Sequence, residues 1–407
     1  MRDVEKRIFT PLCFMLAFSL PVLAQETASD PVAIGNDGPG EDATVQGEFS
    51  DSELDALIDG GGFGAAAKQW STEITVQGMA GYDDNVLRGP FLEQVSLFYG
   101  GSIDAFLWRL PAEGKFDFYT YLLAEAVVYP DVAEIDQEII VLSQSKLGKK
   151  VTDRLNLGTV FQYTYADQVY DVSVSELDRD TTTLRFQQWG GRLSVERIFA
   201  GDFRILLDYN FKRVNFDDPA DDYTAPSLKL SLKRPLGDNS KMIFSYEWGG
   251  KDYDERRQRD ESGNTIAAAA LRWTWQEFVF DIRQKFGENG KFGNSTKIFW
   301  KINRDNGSGY YNFDRFGVKE KVRYEFGKFE LEFSAKVSRY EYDVQTVSSV
   351  DDTLYSRTDL SAKVRISRKI GEKFNFYGEY AWEQSLSMRS RDAYDQNRCL
   401  VGFERTF

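Results

Sequence analysis

The chain has 407 residues, no histidine and only two cysteines. Without an imidazole there is no Ser-His dyad, no Asp-His protease site and no imidazole metal ligand. The usual phospholipase, deacylase and protease chemistries are therefore excluded. Carboxylates abound, but neither a defined acid-base pair nor a metal cluster stands out, so the reading is not an enzyme and has no cofactor. Cys13 falls in a segment expected to be removed, which leaves Cys399 alone and rules out an internal disulfide framework. Long apolar runs are missing too. Beyond the first residues nothing approaches the ~20 consecutive apolar positions that a spanning helix needs, and the mean hydropathy is -0.45.

The start of the chain reads as an export signal. Arg2, Lys6 and Arg7 precede an apolar run from Ile8 to Leu23 that is broken by Pro11 and Pro21. Val22-Leu23-Ala24 then supplies small-residue cleavage geometry before Gln25. Residues 1–24 are thus expected to be a cleaved signal peptide. The net charge of -14 argues against a nucleic-acid partner. Much of it is local, because residues 25–67 hold ten acids and no base. Low hydrophobicity with charge of one sign predicts a disordered, solvated leader over 25–68. A turn of helix over Ser52 to Ile58 would end at Gly60-Gly61-Gly62.

From Gln69 to Phe407 the dominant period is two. Phe203, Ile205, Leu207, Tyr209 and Phe211 share one face, against Arg204, Asp208 and Asn210. Leu360, Ala362, Val364 and Ile366 oppose Ser361, Lys363, Arg365 and Ser367, and Phe374, Phe376, Tyr380 and Trp382 oppose Asn375, Glu379 and Glu383. Alternation sustained over about nine residues is the signature of a transmembrane strand, which hydropathy averaging misses. The 31 Phe, 21 Tyr and 8 Trp suit a lipid-facing surface with interfacial girdles.

Short turns (Pro111-Ala-Glu-Gly114, Phe199-Ala-Gly-Asp202, Pro235-Leu-Gly-Asp-Asn239, Phe326-Gly-Lys328, Gly371-Glu-Lys373) alternate with longer polar connections. The longer ones are expected over Asp167 to Asp180, Gly250 to Gly263 and Val344 to Thr358. This rhythm predicts an all-β fold, a transmembrane antiparallel up-and-down barrel over 69–407 with about 16 strands and both ends in the periplasm. Strands are expected to start near 70, 91, 115, 137, 154, 182, 203, 224, 241, 264, 295, 313, 329, 356, 374 and 396. Residues 264–286 are long for one strand, and their apolar phase flips between Trp275 and Phe278. A β-bulge there keeps the strand count even. Phe407, Phe403, Val401 and Cys399 form an apolar terminal face, interrupted by Arg405, for barrel-insertion machinery to read. A soluble β-sandwich or propeller also has period-two strands. The loop rhythm, the absence of a blade repeat and the persistent polar face disfavour both.

Gly81-Tyr-Asp-Asp-Asn-Val-Leu-Arg88 closes the first strand. It resembles the first-hairpin motif of outer-membrane β-barrel porins found with exopolysaccharide or exosortase-type loci, in which an aromatic is followed by Asp-Asp-Asn and then a base. The resemblance covers eight residues and carries no functional residue across. Asp83, Asp84 and Asn85 also suit an ordinary turn. Tyr163-Thr-Tyr-Ala-Asp-Gln-Val-Tyr-Asp171 has a similar strand-into-loop character.

With the apolar faces outward, the polar faces line a lumen. Lys297, Lys301, Lys319, Lys321 and Arg323 would form a basic stripe, followed by Glu330 and Glu332, then Lys363 and Arg365, then Glu379 and Glu383. One reading is a transverse field that selects solutes, with anions or acidic sugars favoured. The other is cross-strand salt bridging that holds the wall together. Tyr119, Tyr121, Phe299 and Tyr377 also fall on this face, where packing against neighbours is their expected role. A barrel of about 16 strands leaves room for an aqueous channel. The expectation is an outer-membrane, porin-like channel for passive passage of small hydrophilic solutes. Polysaccharide export and a structural or adhesion barrel with a closed lumen are the alternatives. The expected partners are outer-membrane lipid, insertion machinery, solutes or polysaccharide, and, by analogy with porins, copies of the chain in a homotrimer.

Overall fold

The computed structural model describes residues 70–89, 93–109, 116–133, 135, 137–171, 181–237, 239–287, 290–348 and 351–407. Residues 1–24, expected to be a signal peptide, the acidic stretch expected as a leader over 25–68, and the turn at Pro111-Ala-Glu-Gly114 lie outside the described residues. The first eight strands are β1 (Trp70–Asp83), β2 (Ser96–Arg109), β3 (Phe116–Val128), β4 (Gln137–Thr152), β5 (Leu155–Asp171), β6 (Thr181–Ile198), β7 (Arg204–Phe216) and β8 (Tyr223–Pro235). The rest are β9 (Ser240–Arg259), β10 (Thr265–Phe286), β11 (Phe292–Asp305), β12 (Phe313–Phe326), β13 (Phe329–Ser348), β14 (Asp351–Ile370), β15 (Phe374–Ser387) and β16 (Tyr394–Thr406). Each pairs antiparallel with the next, and β16 pairs with β1 from Thr75↔Thr406 to Asp83↔Arg398, which closes the barrel. Closure leaves no strand edge unpaired.

Alternation sorts the side chains. Leu97, Leu193 and Val401 point outward and are 62%, 61% and 67% exposed. Among these strands they sit within a wide apolar outer surface that includes Phe161, Trp248, Phe316 and Phe376. Such a band is stable against hydrocarbon and costly against water, as in a transmembrane barrel. Inward positions hold polar groups such as Gln144, Asp208, Ser245 and Asp281, all buried. No helix among the described residues is long and apolar enough to cross a membrane; the strands perform that role.

The short connections cluster at one end, hereafter the turn end. Gly327 and Gly371 there have φ of 63° and 72°. A side chain at either position would be strained in that left-handed conformation. The terminal strand shows its expected face outward. Arg405 is accommodated because its guanidinium carbon lies 4.5 Å from the ring centroid of Phe407 and 5.1 Å from that of Phe374.

Several expectations are corrected. Residues 265–286 do form one strand, but its irregularities lie between Ile266 and Arg272. From Arg272 to Gln284 the ladder with β9 is unbroken, so no bulge separates Trp275 from Phe278. The apolar phase flips because surroundings change along the strand. Phe278, Phe280 and Ile282 face outward in the apolar band, whereas above them Trp273 and Trp275 face inward and Arg272, Thr274 and Gln276 face out. The connections expected over Gly250 to Gly263 and Val344 to Thr358 are mostly strand. β9, β10, β13 and β14 run for 20, 22, 20 and 20 residues. Beyond the apolar band a ladder no longer needs an apolar face, so its sequence looks like loop. The stretch from Tyr163 to Asp171 is likewise the end of β5. β2 and β14 begin five residues later and five earlier than expected, at Ser96 and Asp351.

Candidate functional site

The alternation that turns apolar residues outward on β11–β15 places Lys297, Lys301, Lys319, Lys321, Arg323, Glu330, Glu332, Lys363, Arg365, Glu379 and Glu383 on the inner wall. Their rows follow from the register. Lys297 pairs with Lys319, and Lys319 with Lys336, so three lysines stand side by side on neighbouring strands. Two rows toward the loop end, Lys301 pairs with Arg315 and Arg315 with Tyr340, which pairs with Arg357. One row toward the turn end, Lys321 pairs with Ser334 and Ser334 with Lys363. Like charges in directly opposed positions oppose strand pairing. Arg315, Lys336 and Arg357 were not foreseen; inward position on an alternating strand was the signal that would have found them.

Below this basic field the wall is an ion-pair network. Arg323 reaches Glu330 at 2.7 Å and Glu325 at 3.0 Å. Lys363 reaches Glu379 at 2.8 Å, and Arg365 pairs with Glu379 at 3.8 Å and closely with Glu404. Glu383 lies level with the lysine row, opposite Ser361, and pairs at 3.6 Å with Arg88, which follows β1 at the loop end. Glu332 stands in register between Arg323 and Arg365. The wall thus carries salt bridges, and the row Lys297, Lys319 and Lys336 continues on β10 with Asp281 in register.

Aromatic rings position the inward cations. The guanidinium of Arg365 lies 3.8 Å from the ring centroid of Tyr377, while Arg315 and Arg357 lie 4.9 and 4.6 Å from that of Tyr340. Such contacts hold a charge in place without neutralising it. Phe299 covers Gly317, and Tyr377 covers Gly402, their direct cross-strand partners. A Cβ on either glycine would stand 2.2 to 2.8 Å from ring or backbone atoms, so the ring fills the space that a side chain would take. Tyr119 stacks on Phe106 with centroids 5.6 Å apart, and Tyr121 donates its hydroxyl to Asp104 at 2.6 Å. All four inward aromatics are buried, in keeping with packing.

Apolar clusters pack on the inner face at the loop end. Val86 and Leu87, which follow β1, and Val132 and Ile135, which follow β3, pack with Phe98, Val127 and Tyr129. The Asp83-Asp84-Asn85 stretch fixes this entry. Gln396 on β16 donates to both Asp83 carboxylate oxygens, and Asn397 donates its backbone N–H and its side-chain amide to Asp84. Asn85 donates to the carbonyls of Gly89 and Asp395 and accepts from the Gly89 N–H. The motif thus ties the first connection to the last strand. Further round, Ala166, Leu184, Phe186 and Val214 form a second cluster, and Tyr253, Leu271 and Trp273 a third. Among the described residues no group of three or more Cys, Asp or Glu is placed to hold a metal ion.

Fold and wall together define a closed, sixteen-stranded antiparallel β-barrel with an apolar exterior and a charged interior. No family model matches the chain, and no curated protein matches it. Solved structures similar to it include a bacterial polysaccharide outer membrane secretin, with 11% identity, a TM-score of 0.42, and 84% of this chain and 99% of that chain covered. The BenF-like porin from Pseudomonas fluorescens Pf-5 has 9% identity and a TM-score of 0.45, covering 84% and 99%. OccAB3 of Acinetobacter baumannii has 10% identity and a TM-score of 0.43, covering 83% and 99%.

Proposed function

We propose that this barrel is a bacterial outer-membrane channel for passive passage of small hydrophilic solutes, with a preference for anions. The observation that carries the reading is the cross-strand row Lys297, Lys319 and Lys336 on the inner wall. Like charges side by side on neighbouring strands favour a wetted wall where water and anions add to their screening, and Lys297 meets the Asp281 carboxylate on its other side. Flanked by Arg315 and Lys321, they create a local positive potential that draws anions toward the wall. The glutamate-rich network toward the turn end supports the wall instead of cancelling this field. The acidic leader lies on the periplasmic side in this reading.

One observation favours a second reading, a barrel with a closed or gated mouth: the apolar clusters packed inside the loop end. Single-channel current of the refolded protein across a planar bilayer, under a salt gradient, separates the two. Stable steps with a reversal potential on the anion side are expected. A silent barrel that is nonetheless folded and heat-modifiable would overturn the channel reading in favour of the closed mouth.

A further inference from the structure

The outer rims of the barrel differ in how they treat positive charge. Near the loop end, outward arginines are matched by carboxylates of this chain. Arg185 reaches Asp167 at 3.0 Å, Arg213 reaches Asp254 at 2.6 Å, Arg272 reaches Asp252 at 3.3 Å, and Arg304 reaches Asp314 at 2.8 Å. Near the turn end the outward bases are Arg109, Lys149, Arg197, Arg234, Arg368 and Arg405. Among the described residues none of these six is paired with a carboxylate.

What five of these six bases touch instead is aromatic. Arg109 lies over Trp70, Lys149 over Phe116, Arg197 over Phe199, Arg368 over Phe329, and Arg405 over Phe374 and Phe407, at 4.5 to 5.5 Å from the centroids. Four of these couples are direct cross-strand partners: Trp70↔Arg109, Phe116↔Lys149, Phe329↔Arg368 and Phe374↔Arg405. The recurrence comes from one rule. Odd strands enter the band with an apolar residue, and even strands leave it with a base. The ring fixes the cation at the edge of the apolar band but accepts few of its hydrogen bonds. The rule lapses on β10–β12, where Phe286, Phe292, Tyr324 and Phe326 form the rim without a base.

We propose that the turn-end rim is a docking belt for the phosphate headgroups of anionic phospholipids in the leaflet facing the periplasm. Guanidinium and ammonium groups held at headgroup depth supply the donors and the charge that a phosphate needs, and the aromatic rings sit against its acyl chains. The loop-end rim, neutralised by its own acids, has no such demand. The belt rests on the membrane-spanning reading above.

The test uses the full mature chain refolded in phosphatidylcholine vesicles carrying spin-labelled phosphatidylglycerol or spin-labelled phosphatidylcholine. Electron paramagnetic resonance reads the lipid fraction slowed at the protein surface. Phosphatidylglycerol is expected to be enriched about threefold over phosphatidylcholine, with the preference reduced by salt. The double variants Arg368→Gln with Arg405→Gln, and Arg109→Gln with Lys149→Gln, should each lower that ratio. The loop-end pair Arg272→Gln with Arg304→Gln should leave it unchanged. Slowed lipid with equal preference for both headgroups overturns the belt while leaving the barrel in the membrane. The absence of any slowed lipid overturns the membrane reading itself. Should a variant not refold, the salt dependence of the unaltered chain still decides, because a preference unmoved by salt contradicts charge-driven docking.

Discussion

Gln396 on β16 donates its amide to both carboxylate oxygens of Asp83 at the end of β1, at 3.0 and 2.9 Å. The bond joins the first strand to the last where the barrel seam meets the inward-folded first connection. Asp83 also accepts the Asn85 N–H at 3.1 Å, so a single buried carboxylate sets both the seam and the start of the loop.

Replacing Asp83 with Ala strands the Gln396 amide and the Asn85 N–H in a buried setting. The expected cost is about 1–3 kcal/mol, the range for leaving buried polar groups unsatisfied. Denaturant unfolding in lipid vesicles should show a lower midpoint with the barrel still closed at low denaturant. A midpoint equal to that of the parent chain would mean that the seam is held by its backbone ladder alone.

The basic field should respond unevenly to charge reversal. Lys319→Glu with Lys336→Glu removes two members of the lysine row and should move the reversal potential strongly toward cations. Lys321→Glu with Arg323→Glu should move it less, because Arg323 already spends its charge on Glu330 and Glu325. Equal shifts for the two pairs, measured under one salt gradient, would contradict a field centred on Lys297, Lys319 and Lys336.

The architecture was legible because lipid and lumen impose opposite demands on alternate residues. Phe203 to Phe211 shows its faces without ambiguity, and the same logic located every strand. It failed where one demand lapses. Above the apolar band both faces of β9 and β10 are wet or packed on rings, so Gly250 to Gly263 looked like loop and Trp275 looked out of phase. Lys336 escaped notice because its strand neighbours Ala335 and Val337 offer only a modest apolar contrast. The role of Asp83-Asp84-Asn85 was illegible for another reason: its partners Gln396 and Asn397 lie more than three hundred residues away.

The β9–β10 connection should loosen in acid. The Asp260 carboxylate accepts the side-chain amide and backbone N–H of Asn264 and the N–H of Ser262. Those bonds, the Asn264 side chain first, hold its pKa below the ordinary aspartate value. A depressed carboxyl pKa contributes order that is fully present above the unfolded-state value, near 3.9, and is lost as pH falls through the folded-state value. Hydrogen exchange at Ser262 and Asn264 should therefore show the turn firm at pH 6 and opened once the pH falls through the lowered folded-state value, with intrinsic exchange corrected for. Asp260→Asn should remove that dependence, and a turn equally protected at both pH values would show that the carboxylate does not organise it.

Glu320 sits on the wrong face for a carboxylate. It shares the outward side of β12 with Phe316, Val318, Val322 and Tyr324, and Thr296 donates to its Oε2 at 2.6 Å. Six residues above Phe326 on a tilted strand, it lies ~15 Å into an apolar band of about 25 Å. Hydrocarbon offers nothing to its other oxygen, so one hydroxyl carries the whole burden of solvating the group. Glu320→Val replaces it with a side chain of the kind that flanks it, at the cost of freeing the Thr296 hydroxyl. Acidic groups on a barrel's lipid face destabilise less than the 2–4 kcal/mol of basic ones. Allowing for the lost hydrogen bond, the variant should gain about 1 kcal/mol. Equilibrium unfolding in vesicles measures this directly. A loss of stability in Glu320→Val that Thr296→Val reproduces would show that the hydrogen bond outweighs desolvation, and that this patch of the outer surface is less apolar than its neighbours imply.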